Sequence, residues 1–514
     1  MKESIGRKSA RMLSSLFIGR VVGLLVGVAT FIIVARLLGP AYYGIYTLAI
    51  GIYSFIGAVG HFGIGTYFNK HIAESVYKGN PKKINEILSS GYYIIFSSAF
   101  VLLLIGVFGS GIISSYFKSQ SLLPITVIIS SFVLFFSMIY GTVYPALISL
   151  GRGKWTAYTI LLVQIVNLIG SVSLIKIGLS YNGALLGLML SYIFGFFMTI
   201  YFIGKAMEPF GGFRLVKINI NNIKKTLSFS FPMAANNLVS NLVNNFAVLL
   251  LGLFATSVLL GNYGAATKGL SMLQTFYSTM FVVLLPTFSA IAVKNSKIQN
   301  LFNKTIIYSL ILIFPIVLYV GIFAKPLVYI LVTNKYNLAP FYLFLISIGV
   351  IIGLPSLYIS SFMVSKGRVI KVLKYNSISA AIEFLSLVML VPYLKVVGVI
   401  ISLFFIGSTS NDILFISGIY KNFNIRFDLK RLLKLIAASI LFATLISVSL
   451  FFKSYWLEVI LGFALSIVLY PILIAILGVV DRQFIKDILR FTKGIPFVEK
   501  IASYIVSYMN YFIR

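Results

Sequence analysis

Cysteine is absent from the 514 residues, which excludes disulfides, thiolate metal sites and thiol nucleophiles. Histidine is nearly absent: there are two, His61 and His71, and no HExxH pattern that would seat a zinc ion. No GxxxxGK(S/T) phosphate loop exists, because Gly151-Arg152-Gly153-Lys154 is too short to form one, so ATP hydrolysis by this chain is not expected. Charge is also scarce, at 10% of residues against about 25% in ordinary soluble domains. That deficit excludes both a soluble globular domain and a disordered chain. Acid is the scarcest of all, 11 Asp+Glu facing 42 Lys+Arg for a net charge of +31.

What is present is apolar. Hydrophobic residues make up 59% of the chain and the mean hydropathy is +1.01. The bases fall in short clusters between long apolar runs, as in a polytopic membrane protein rather than a nucleic-acid binder. A spanning helix needs about 20 mainly apolar residues, and polar breaks divide the chain into about 14 such runs. The first follows Lys2, Arg7, Lys8 and Arg11 and is too long for a cleaved signal, so it is taken as a retained span. Of the 42 basic residues, 33 fall on the N-terminal side, seven on the other side, and Arg20 and Lys268 within spans. Bases favour the cytoplasmic face, so both termini are expected there, in a multi-pass protein of the plasma membrane. The tail at 481–514 is amphipathic, suited to anionic headgroups.

A faint repeat joins the halves. Leu37-Leu38-Gly39-Pro40 with Tyr43-Gly44 links spans 1 and 2, and Leu259-Leu260-Gly261 with Tyr263-Gly264 links spans 7 and 8. Six spans separate the strings, so the repeats share one orientation, as in parallel-repeat transporters. The expected divisions are 1–204 for the N-lobe, 205–225 for an inter-lobe loop and 226–420 for the C-lobe. Two more spans follow in 421–480, then the tail 481–514.

Four charges lie inside spans, where each costs about 2.5–3.5 kcal/mol on insertion scales. Arg20, Glu383 and Asp412 sit at similar depth toward the N-terminal face, and Lys268 nearer the opposite face. Each has a plain alternative: Lys268 snorkelling outward, and Arg20 in a structural ion pair. Span 7 carries Asn236, Asn237, Ser240, Asn241, Asn244 and Asn245, all within one half of the helix at about 100° per residue. Interhelical hydrogen-bond glue is one reading of this stripe. Amides lining a wet cavity and binding sugar hydroxyls is the preferred one. Gln164 and Asn167 in span 5 form a smaller version.

At Arg36-Leu37-Leu38-Gly39-Pro40 followed by Tyr43-Gly44-Ile45-Tyr46, the chain resembles the polysaccharide-transport branch of the MOP exporter superfamily, which includes O-antigen-type flippases. The resemblance implies an all-α fold of two six-helix lobes in a V around a central cavity, plus two C-terminal helices. It implies movement of lipid-linked oligosaccharide from the cytoplasmic to the external leaflet by alternating access, with no catalytic residues. Cavity cations that take up the lipid's phosphate are then Arg20 and Lys268, beside Asn237, Ser240, Asn241 and Asn244. An arginine–carboxylate gate would join Arg20 to Asp412 or Glu383, which also serve as ion-coupling candidates. No cofactor or metal is expected; a proton or sodium gradient, or the membrane potential, would supply the energy. Expected partners are the lipid-linked glycan, anionic lipids and glycan-assembly enzymes, with no nucleic acid, and the protein is expected to act as a monomer. The alternatives are a multidrug-type antiporter of the same fold and an integral-membrane glycosyltransferase.

Overall fold

The computed structural model describes residues 5–60, 62–117, 121–217, 219–271, 298–426 and 428–481, with Phe484 and Val506. Among them every regular element is helical. In chain order these are α1 Ile5–Gly60, α2 Ile64–Tyr77, α3 Pro81–Phe108, α4 Ser110–Tyr116, α5 Pro124–Ser149, α6 Gly153–Leu174, α7 Ser180–Met207 and α8 Ile220–Phe254. Then come α9 at 257–271, α10 Ile298–Ile322, α11 Ala324–Leu331, α12 Ala339–Ser365, α13 Val369–Ile400, α14 Ser408–Phe423, α15 Leu429–Ser447 and α16 Tyr455–Ile476. The fold is that of an all-α polytopic membrane protein. A backbone in hydrocarbon must satisfy its own polar groups, and helices do so locally.

Nine helical stretches among the described residues are long and apolar enough to cross a membrane. Three of them fold back on themselves. In α1, Gly39 has φ 67°, and the rings of Phe31 and Tyr43 lie 6.0 Å apart; twelve residues of straight helix would separate them by about 18 Å. Between α6 and α7 a π-turn, Ile175–Leu179, carries Gly178 at φ 102°. Ser171 Oγ donates to the Ala184 carbonyl at 3.2 Å, so the two helices run antiparallel. In the third, Lys395 has φ 49°, and Ser379 Oγ donates to the Gly407 carbonyl at 3.2 Å across the hairpin. These reversals coincide with the sequence breaks at Gly39-Pro40, Leu179–Asn182 and Lys395. Counting each hairpin twice, the nine stretches contain twelve limbs. Of the two remaining expected spans, α8 supplies an apolar 238–254, and 262–292 is described only as far as Ser271. The amphipathic tail lies outside the described residues apart from Asp481, Phe484 and Val506.

Two elements depart from the sequence expectation. Span 2, expected over 41–68, ends at Gly60; Phe62 (φ 40°) and Gly63 (φ 66°) are left-handed before α2 begins. Span 3, expected over 88–117, begins seven residues earlier at Pro81, where the Asn80 side chain caps the Lys83 amide, and it breaks at Gly109 before α4.

The chain divides into two compact units: Met1–Ala265 with Leu387–Val399, and Ala266–Ser386 with Ile400–Arg514. This division falls within α9, and α8 packs in the first unit. Gly51 of α1 lies against Val248, and Gly252 against Leu48 and Phe117. Within the first unit the core gathers Ile64, Phe68, Ile95, Met138 and Met207, all fully or almost fully buried. In the second, Phe362 packs edge-on against Phe302 and Phe423 at 4.9 and 5.5 Å. Lipid tails are as apolar as leucine, so such packing holds membrane helices together more than water expulsion does. The outward residues are correspondingly greasy: Phe108, Ile177, Phe451 and Trp456 are all exposed, as lipid-facing surfaces require.

Both strings of the internal repeat lie in the first unit, and they touch. A Cβ added at Gly44 would lie 1.8 Å from the Ser257 carbonyl oxygen; one added at Gly261 would lie 1.9 Å from that of Pro40. Only glycine permits this backbone-to-backbone crossing.

Candidate functional site

Arg20 sits on the first limb of α1 with its side chain exposed. The neighbouring face explains its direction. Gly19, Gly23 and Gly27 recur every fourth residue and lie against Ala157, Ile160 and Gln164 of α6, so this small-residue ridge fixes the limb and leaves Arg20 off the packed face. The ridge is legible in the sequence as a small-xxx-small pattern.

On α8, Ser240, Asn241 and Asn244 are exposed and Asn245 is half-buried. Val243, Ala247, Leu250 and Leu251 of the same helix are buried. Asn244 Nδ2 donates to the Ser240 carbonyl, and Asn245 Nδ2 to that of Asn241, both at 2.8 Å. These bonds stay within the helix, where interhelical glue would cross to a neighbour. They occupy the Asn244 and Asn245 side-chain nitrogens, and the carboxamide oxygens remain acceptors by their chemistry. The side chains of Asn236 and Asn237 lie outside the description. Lys268 is exposed on α9, in the second unit.

Glu383 and Asp412 also belong to the second unit, and both are held by serines. Asp412 Oδ1 accepts from the Ser356 amide at 2.8 Å, one residue past the kink-forming Pro355 of α12. Glu383 Oε1 accepts from Ser379 Oγ at 3.2 Å, and Ser379 Oγ lies 2.6 Å from Ser410 Oγ. The backbone makes room for this: a π-helical segment, Ile401–Gly407, precedes α14, and a Cβ at Gly407 would lie 2.4 Å from Glu383 Oε1. Such π-segments recur at functional sites. The structure thus ties Asp412 of α14 to α12, and Glu383 to a serine pair that joins α13 to α14. Among the described residues the side-chain ion pairs are His71–Glu74, Lys83–Glu86 and Arg431–Asp481. No group of three or more His, Cys, Asp or Glu side chains capable of holding a metal occurs there either.

A tyrosine cluster was missed. Tyr46, Tyr53, Tyr140 and Tyr192 are half-buried in mid-helix positions rather than at span ends. The rings of Tyr140 and Tyr192 are 5.9 Å apart, and Tyr192 lies within electrostatic reach of Tyr46 and Tyr53. Gln164, beside Gly27, and Asn167, which accepts from Ser171 Oγ at 2.9 Å, belong to the same unit. No sequence spacing signals this cluster, because its members come from different limbs.

Residues 9–292, more than half of the chain, match the family described as polysaccharide biosynthesis protein. The chain belongs to that family. No curated protein sequence matches this polysaccharide biosynthesis protein. Its fold is found in solved structures. Lipid II flippase MurJ in an inward closed conformation matches with a TM-score of 0.68 at 15% identity, over 92% of this chain and 99% of that one. An inward-facing multidrug resistance MATE family transporter of the MOP superfamily matches at 0.60 and 13%, over 78% and 94%. A MOP superfamily transporter from Pyrococcus furiosus, described as having a binding pocket of reverse polarity, matches at 0.53 and 15%, over 81% and 95%. The chain therefore has the MOP transporter fold.

Proposed function

We propose that this protein is a flippase that moves a polyprenyl phosphate- or pyrophosphate-linked oligosaccharide from the cytoplasmic to the external leaflet by alternating access. The observation that carries the reading is the stripe on α8: Ser240, Asn241 and Asn244 are exposed beside the apolar stretch 238–254, and the Asn244 and Asn245 amides bond to carbonyls of their own helix. Amides left with free acceptors in a spanning segment are costly unless they face water or a polar ligand, and glycans present many hydroxyls to them. Arg20 supplies a planar guanidinium suited to phosphate oxygens, and Lys268 a second cation. Glu383 and Asp412 act as the ion-coupling pair, and the gradient they sense drives the cycle. A multidrug-type antiporter remains the second reading, because two serine-held carboxylates also suit a cationic cargo.

The test is a double variant, Asn241→Leu with Asn244→Leu, in the native host. The flippase reading expects normal protein level, loss of surface glycan and accumulation of lipid-linked glycan facing the cytoplasm. Unchanged surface glycan overturns it, and lost efflux of organic cations with normal glycan establishes the antiporter.

A further inference from the structure

The segment joining α7 to α8 is strapped to α3 by a stripe of side chains. Asn85 binds the loop twice: its Nδ2 donates to the Gly212 carbonyl at 3.4 Å, and its Oδ1 accepts from the Arg214 amide at 3.1 Å. One turn on, Ser89 Oγ accepts from the Val216 amide at 2.9 Å. One turn further, the Tyr93 hydroxyl donates to the Val216 carbonyl at 3.2 Å. One helical turn rises about 6 Å along α3, close to the reach of two extended residues, which is why positions 85 and 89 register with 214 and 216. The strap sets Lys217 beside a small polar recess with Ser89, Asn219 and Asn222. Glu86, the acid at this recess, is paired with Lys83 at 3.4 Å. Lys217 has no side-chain partner among the described residues.

Tyr93 and Ile223 line this recess and also a second cavity of about 500 Å³, walled by Val59, Phe62, Ile94, Val101 and Leu102. The second cavity sits at the break in span 2. Phe62 is left-handed there, and the Gly60 carbonyl released by the break accepts from Ser98 Oγ at 3.2 Å. Strained backbone at a cavity is a feature that surrounding structure must stabilise and that recurs at ligand sites. From Tyr93 to Leu102 the groove runs about 13 Å along α3, close to half of the roughly 30 Å hydrocarbon core. A greasy slot one leaflet long, ending at an unpaired ammonium, has the dimensions and polarity of one lipid.

We infer that this groove is a binding site for an anionic phospholipid, with one acyl chain in the slot lined by Val59, Phe62 and Leu102 and the phosphate at Lys217. The site lies wholly within the first unit, and Arg20 and the α8 amides are not among its lining residues. Apolar walls give no preference over bulk lipid, since the tail leaves one hydrocarbon for another. Selectivity comes from the head, where one basic side chain is worth a factor of about five, or ~1 kcal/mol. The lipid fills the gap at the broken helix and pins the strap that joins α7 to α8.

The experiment uses the full chain in nanodiscs of phosphatidylcholine. With Trp155→Phe and Trp456→Phe removing the native indoles, Val101→Trp places one reporter in the groove, and Phe108→Trp places a control on the lipid-facing surface of the same helix. Acyl-brominated phosphatidylglycerol or brominated phosphatidylcholine is then titrated in. The groove reporter is expected to be quenched at about fivefold lower mole fraction by the anionic lipid, the control equally by both, and Lys217→Gln to remove the difference. Equal quenching in the groove, or a difference that survives Lys217→Gln, overturns the site. Displacement of the brominated lipid by equimolar polyprenyl phosphate overturns it too, by giving the groove to a transported lipid. If the tryptophan variants fail to fold, native mass spectrometry of the unaltered chain and of Lys217→Gln decides. Equal retention of phosphatidylglycerol by both contradicts the inference, and loss in the variant upholds it.

Discussion

At the scale of single residues, charge in the spans separates into two chemistries. Arg20 is exposed while Glu383 and Asp412 are tied to serines, so the variants should differ in kind. Arg20→Ala should reduce glycan export at least tenfold, the order of one charged hydrogen bond at about 1.5–3 kcal/mol, and Arg20→Lys should restore part of it. Glu383→Gln should abolish the dependence of export on the ion gradient while leaving substrate binding intact; gradient-dependent export that survives would contradict the coupling role. Outside the spans, Arg431 bonds Asp481 at 2.6 Å. Burial pushes this carboxyl up, but the Arg431 and Phe484 hydrogen bonds and the charges of Arg431 and Lys304 outweigh it and hold it below the usual carboxylate range. A depressed carboxylate stabilises the fold above its ordinary pKa of about 3.9 and loses that contribution as pH falls through the lower value. The melting temperature should therefore exceed that of Asp481→Asn by a constant small amount, at most about 2 °C, from pH 8 to 5. The difference should vanish only below about pH 4. Which residues were chemically exceptional was legible from the sequence, since a charge or amide in an apolar run stands out. Their partners were not: Ser356 and Ser379 are ordinary serines until the fold sets them against Asp412 and Glu383.

At the scale of elements, turns were the most readable feature. Gly39-Pro40 and Lys395 end apolar runs at the points where the helices reverse. The break at Phe62 was not readable, because apolar residues continue through it and hydropathy reports length, not φ. The glycine crossing was half readable: the repeat strings were visible, their contact was not, since contact depends on how α1 and α9 come together. The crossing should be intolerant of side chains. Gly44→Leu and Gly261→Leu should each expose a cysteine introduced at Thr47, which lies beside Gly264, to an impermeant thiol reagent, while Gly141→Leu, in open space, should not. Equal labelling in all three would contradict the crossing as a tight contact.

For the whole molecule, the polytopic membrane class followed from scarce charge and long apolar runs, the fold from the family resemblance at 36–46, and the MOP likeness agrees with both. The asymmetry of 33 against seven bases predicts sidedness directly: a cysteine at Asn182 should label from outside and one at Asn80 should not. Substrate was the least legible, because glycan recognition by amides uses no fixed spacing. The central claim is transbilayer movement of a lipid-linked glycan, and reconstitution measures it most directly. Purified protein is placed in liposomes carrying a fluorescent polyprenyl pyrophosphate oligosaccharide, and the glycan in each leaflet is read by an impermeant glycosidase. The account predicts that the protected fraction becomes cleavable within the assay in liposomes with the unaltered chain, and does so much more slowly with Asn241→Leu/Asn244→Leu. A protected fraction that stays constant with folded, unaltered protein under an imposed ion gradient would contradict it.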